Sequence, residues 1–272
     1  MRLAQRFPIL YTLSIWRYRA IRWLQWIFFR KLATKHRAQV LPCKVTAHES
    51  ILLRKLGVSD MRLQQNKITN LKLAAAGIDG VIIRPGETFS FWRCVGWPTA
   101  KKGYLNGMLL SNGKVQAGIG GGLCQSANLI YWMGLHSPLV VTERHRHSYD
   151  IFPDSGRVLP FGTGAAVYYN YVDLQLYNPT DITFQINIGV NDTHLHGEIR
   201  SDVLVPHSFK IIEREHRFLR SVKTGKIFRE NAIYRQTFDK RTGNLLSDEL
   251  LYRNHCETLY DLPPSIAPVD IA

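Results

Sequence analysis

The chain has 272 residues, 45% hydrophobic and 21% charged, enough for a real core in one large domain or two small ones. Its four cysteines (Cys43, Cys94, Cys124, Cys256) are far apart and form no CxxC pair, which excludes a close-spaced thiolate zinc site and a small disulfide scaffold. The net charge of +14 favours anionic partners, whether nucleic acid, an acidic membrane surface or an anionic small molecule, without choosing among them.

Residues 1–38 read as a basic, aromatic helix. Arg17, Arg19 and Arg22 interrupt it, so no run reaches the roughly 18 apolar residues of a membrane span. It has no small-residue signal-peptide cleavage site. Two readings fit it: a helix lying in a membrane interface, giving peripheral membrane contact, or one packed on its own domain with its arginines solvated. Reduced cysteines and no evident export signal point to a cytoplasmic setting. Leu63 to Ile78 is a second helix, with Leu63, Ile68, Leu71 and Ala75 near helical spacing. VIIRPGETFSFW then reads as strand, Pro-Gly turn and strand. Gly103 to Gly113 reads as loop.

Gly120, Gly121 and Gly122 run into Leu123, Cys124 and Gln125. Gln125 to His136 is apolar nearly all round, as a buried helix would be, and Ser137-Pro138 stops it. Leu139 to Thr142 and the alternating Ala165 to Tyr177 read as strands. Phe184 to Val190 with His194 to Arg200, and Ile233 to Phe238 with Leu245 to Tyr252, read as hairpins. The whole is α+β: N-terminal helices, a buried helix opened by a Gly-rich loop and a cysteine, and a mostly antiparallel sheet in the C-terminal half. The expected divisions are 1–38, a core of 39–200, and a C-terminal β extension of 201–272 packed on the core.

A cysteine opening a helix sits at the positive end of the dipole, which lowers a thiol pKa. Glycines before it let backbone amides approach a substrate. Cys124 is thus a candidate nucleophile for acyl transfer. Gly121, Gly122 and Gln125 are its candidate oxyanion donors, and Gly120 belongs to the same loop. RHRHSYD supplies the base: His147, with His145 second, oriented by Asp150 or Asp173. Arg144 and Ser148 are candidate substrate contacts, and Arg84, Glu87 and Ser90 of RPGETFS would shape the pocket. Plain readings stand beside these: a tight loop, a buried cysteine filler, a solvated strand end and a structural turn. Cys124 with His145 and His147 has no fourth ligand in evidence, so no metal or other cofactor is expected. No nucleic-acid-binding motif accompanies the charge.

IRPGETFSFW, GIGGGLCQSANLIYWMGLHSPL and RHRHSYDIFP carry a resemblance to the VanW family, accessory proteins of vanB-type glycopeptide (vancomycin) resistance clusters. NKITNLKLAAAGIDG, QRFPIL and DLQLYN extend it over nearly the whole chain. The resemblance implies a role in resistance and cell-wall metabolism, with a peptidoglycan precursor or related cell-wall peptide as partner. Two modes of action remain: a Cys-dependent enzyme on such a peptide, or a non-catalytic module that binds the peptide or a protein partner. One departure stands out: where the family often has Gly-x-Asp-Ala, this chain has Gly162-Thr163-Gly164-Ala165. Either Asp150 or Asp173 replaces that acid, or none is needed.

Overall fold

The computed structural model describes residues 8–28, 31–53, 61–111, 113–151, 153 and 158–271. Within them the architecture is α+β, with strands mostly antiparallel. The N-terminal helix α1 spans Pro8–Phe28, and the helix expected over 1–38 does not extend through residues 31–38; residues 1–7 and 29–30 lie outside the described residues. Its last turn has no basic residue to meet the dipole. The following chain is instead drawn into sheets: the Ala33 amide bonds to Thr88, and β1 (Lys35–His36) pairs with β3 (Val81–Ile83).

Five strands form the central sheet in the order β1-β3-β10-β11-β2, where β2 is Cys43–Ile51, β10 Phe184–Val190 and β11 His194–Ser201. β10 and β11 form the expected hairpin, in register from Phe184–Ser201 to Val190–Leu195. Helix α2 (Met61–Ile78) packs against β10 and buries Leu71, Ala74, Ala75 and Ile78 at helical spacing. The first half of that face is polar, for Gln64, Lys67 and Asn70 are buried too.

β3 leads into a Pro85-Gly86 turn and β4 (Thr88–Ser90). Proline at the second position and Gly86 at φ 74° suit a type II turn, which requires a positive φ at its third residue. Helix α3 (Phe91–Val95) follows. The stretch expected to be loop is strand over much of its length: β5 (Asn106–Ser111) pairs with β6 (Lys114–Ile119). Six backbone pairings hold this ribbon despite the glycines at both ends.

Helix α4 (Cys124–Leu135) is buried nearly all round, as its composition requires. It lies against β2 and β11. Glycine makes the fit possible: a Cβ on Gly197 would come within 2.9 Å of Met133, and one on Gly134 within 3.0 Å of Leu176. β7 (Val140–Glu143) and β9 (Gln175–Tyr177) join β4 in a three-stranded sheet. Only the last three residues of the expected 165–177 strand form a ladder; before them come isolated bridges, His145–Ala166 and Tyr168–Val172. The backbone there turns inward to meet α4, where the Ala165 amide donates to Asn128.

The C-terminal sheet runs β15-β12-β13-β14-β8, with β12 at His207–Ser221, β13 Ile227–Asp239, β14 Leu245–Thr258, β15 Val269–Ile271 and β8 Tyr149–Asp150. β13 and β14 are the expected second hairpin, extended at both ends. Pairing of β8 with β14 stitches RHRHSYD to this sheet.

Candidate functional site around the triple-glycine loop

Two glycine backbones stack where β5 begins and α4 is about to start. A Cβ on Gly121 would lie 2.1 Å from the carbonyl carbon of Gly107, and one on Gly107 2.3 Å from the Gly121 oxygen. No side chain fits at either position. Gly120 (φ 74°) and Gly122 (φ 92°) adopt the left-handed conformation that turns the chain into the helix.

The polar half of α2 clamps this loop. Asn70, fully buried, donates to the carbonyls of Leu105 (3.0 Å) and Gly121 (2.9 Å) and accepts from the Leu105 amide (2.8 Å). Asn66 donates to Asn106 O at 2.9 Å. The Lys67 stem lies where a Gly122 side chain would be, and its ammonium reaches Leu52 O at 2.6 Å. These three residues were not among the expected site residues. Their signal is in the sequence: Asn66, Lys67 and Asn70 are polar where the apolar face of α2 should continue.

Cys124 is the first residue of α4. Burial pushes its thiol pKa up, against the backbone hydrogen bonds that pull it down. Its sulfur lies 4.0 Å from the carbonyl oxygen of Val167, the thiol donating. The helix dipole was expected to lower this pKa; desolvation of the thiolate outweighs it.

Two of the three expected oxyanion donors, Gly121 and Gln125, are engaged elsewhere. The Gly121 amide bonds to Gly118 O at 3.0 Å. The Gln125 side-chain amide donates to Ser50 Oγ (2.5 Å) and Ile51 O (2.9 Å), tying α4 to the end of β2.

His145 pairs through its backbone with Ala166, and the next carbonyl, that of Val167, meets Cys124. Successive peptide groups of an extended chain point to opposite sides. Cys124 and the His145 backbone therefore lie along opposite edges of the 165–167 segment. The His145 ring is half exposed and meets Glu143 at 3.2 Å. Glu143 also takes two 2.6 Å bonds from Arg22 and one from the Asp173 amide. Burial opposes its charge, but His145, Arg22 and that amide outweigh it and lower its pKa. His147 makes no hydrogen bond among the described residues, and burial lowers its pKa, favouring the neutral ring.

Neither expected carboxylate faces these histidines. Asp173, fully buried, accepts from Ser90 Oγ (2.6 Å), the Trp92 and Leu174 amides and Gln175. Burial raises its pKa despite those donors. Asp150 binds Arg229 (3.3 Å) and Tyr260 (2.8 Å). The RPGETFS residues act on their own turn: Glu87 accepts from the Arg84 amide at 2.9 Å and lies 3.8 Å from its guanidinium, and Ser90 caps α3. Arg144 sits between the rings of Tyr131 (4.9 Å) and Tyr252 (4.6 Å) and donates to the carbonyls of Gly162 and Gly164. Ser148 is exposed, and its carbonyl accepts from the Cys256 thiol at 3.2 Å. Among the described residues, no three His, Cys, Asp or Glu side chains converge as metal ligands would. The loop, Cys124, Gln125 and α2 are thus brought together; the histidines and the RPGETFS turn belong to separate networks.

Comparison with known proteins places this arrangement. The family described as VanW like protein matches residues 66–200. The chain is 33% identical over 270 residues to the Vancomycin B-type resistance protein VanW of Enterococcus faecalis, covering 97% of this chain and 96% of that one. It is 30% identical over 109 residues to the Uncharacterized protein YoaR of Bacillus subtilis, 40% of this chain and 34% of that one. No solved structure matches significantly. With a relative aligned from end to end and the glycine loop inside the matched region, the chain belongs to the VanW family.

Proposed function

We propose that this protein serves vancomycin resistance, for which its E. faecalis relative is named, and with it cell-wall metabolism, and that it acts by holding a cell-wall peptide or a protein partner. One observation supports binding over catalysis: the partly buried Cys124 thiol donates to Val167 O, and its burial raises the thiol pKa. A nucleophile needs its thiolate, and a base within hydrogen-bond reach to make it. Both expected oxyanion donors other than Gly122 already have internal partners.

The enzyme reading keeps one supporting observation, the place of the sulfur at the first residue of α4 directly after left-handed Gly122. One experiment separates the two. Wild type and Cys124→Ala are titrated calorimetrically with a cell-wall stem peptide, and the mixtures are examined by mass spectrometry. Saturable binding by both proteins, with the peptide intact and no adduct, is the expected result. A thioester on Cys124, or peptide turnover that the alanine variant lacks, would establish the enzyme instead. No binding by either protein would remove the peptide as ligand and leave the protein partner.

A further inference from the structure

The N-terminal helix is inside out. Its inward face is polar: Arg22 is buried in the bidentate pair with Glu143, and Arg19 donates to Tyr169 O at 2.8 Å while lying over the rings of Trp97 and Tyr169. Trp26 packs beside them on the core. The outward face is apolar. Ile9 (76% exposed), Leu13 (59%), Leu24 (51%) and Ile27 (70%) recur at helical spacing with Ala20 on the same side, and Leu10, Ile21 and Phe28 flank them. A free amphipathic helix docks the other way round. Here the buried guanidiniums hold it, for turning it over would put Arg19 and Arg22 in water and leave Glu143 desolvated without its partner.

We infer that α1 is an interfacial membrane anchor, which lays Ile9, Leu13, Leu24 and Ile27 into the surface of an anionic bilayer. Four features point to lipid. The helix is 21 residues long, about 30 Å, and presents one continuous apolar stripe. Arg17 rises within that stripe, where its long side chain can reach lipid phosphate. Trp16 and Trp23 stand partly exposed along one margin, rings suited to the headgroup layer. Exposed Lys31 and Lys35 follow the helix on a chain of net charge +14, which complements an acidic surface and opposes a second copy of itself. No helix among the described residues is long and apolar enough to cross a bilayer, so α1 lies along the surface. On its inward side the helix packs on Trp97, and a side chain on Gly120 would meet the adjacent Pro98, so the glycine loop lies beneath the anchor.

The test is vesicle flotation of the full chain with phosphatidylcholine alone and with phosphatidylcholine plus phosphatidylglycerol. Wild type should float with the anionic vesicles, and the double variant Leu13→Glu, Leu24→Glu should bind about tenfold or more weakly with its melting temperature kept. A second readout needs no variant: acyl-chain-brominated lipids should quench the tryptophan emission. Wild type that stays off anionic vesicles overturns the anchor, as does unchanged binding by the double variant, which would leave surface charge alone as the cause. Absence of quenching overturns it even if the variant misfolds. A dimer that the double variant splits would show that a second copy covers this face and would overturn it as well.

Discussion

The contact between Gly107 and Gly121 leaves no room for a single methyl group. Gly121→Ala would force the two backbones apart, and the strain has no flexible side chain to absorb it. We expect a loss of about 2–4 kcal/mol, read by urea denaturation. Asn70→Ala removes both donors and the acceptor that hold the same loop, leaving the Gly121 carbonyl buried without that partner. It should cost roughly 1–3 kcal/mol. Cys124 makes a third expectation at this scale: its folded thiol should resist iodoacetamide at neutral pH and react on unfolding. Rapid alkylation of the native protein would contradict the burial assigned to it. The glycine run and the cysteine were legible in the sequence because the residue types are rare in that order. The state of the thiol was not, since desolvation depends on Val167 and its neighbours, some forty residues away.

At the scale of elements, the attachment of α1 rests on Arg22 and Glu143. Arg22→Ala leaves Glu143 largely buried with only His145 and the Asp173 amide as partners. A loss of about 3–5 kcal/mol is expected for breaking such a pair, seen as early release of α1 in hydrogen exchange. The double change Arg22→Leu, Glu143→Leu should recover much of it, because no charge is then stranded. Periodicity found α2 and both long hairpins, where a face repeats over several turns or pairings, and an almost unbroken apolar run found α4. It missed β2, β12 and the β5–β6 ribbon. β2 alternates in burial without alternating in residue type, as CKVTAHESI makes plain. The ribbon is held by backbone pairing that its glycines conceal.

The whole molecule should be sensitive to acid. Burial lowers the pKa of His147 and of His136, and burial with the nearby His136 lowers that of His48. A histidine with a depressed folded pKa takes up its proton more readily when unfolded. Stability is therefore full above the unfolded value, about 6.5, and declines as pH falls below it. Glu143 adds a second step. Its folded pKa is lowered, so its contribution is present above about 4.3 and is lost as pH falls through the folded value. Melting temperature against pH, followed by circular dichroism, should show both declines. His136→Gln should flatten the first and Arg22→Ala the second. A melting temperature constant from pH 7 to pH 5 would refute the histidine assignment.

By itself the sequence determined the α+β class, the buried helix behind Cys124, the two hairpins and, through its motifs, the family. Each depends on neighbours in the chain: helical spacing, β-branched runs, turn residues and short diagnostic strings. Tertiary structure decided which polar groups meet. It placed Asp173 on Ser90 and Trp92 instead of a histidine, gave Gln125 to β2, and set Asn70 on the glycine loop. It also turned Arg19 and Arg22 of α1 inward. Hydrogen bonds and ion pairs are short-ranged and directional, so partners far apart in sequence are fixed only once the packed elements bring their atoms within reach.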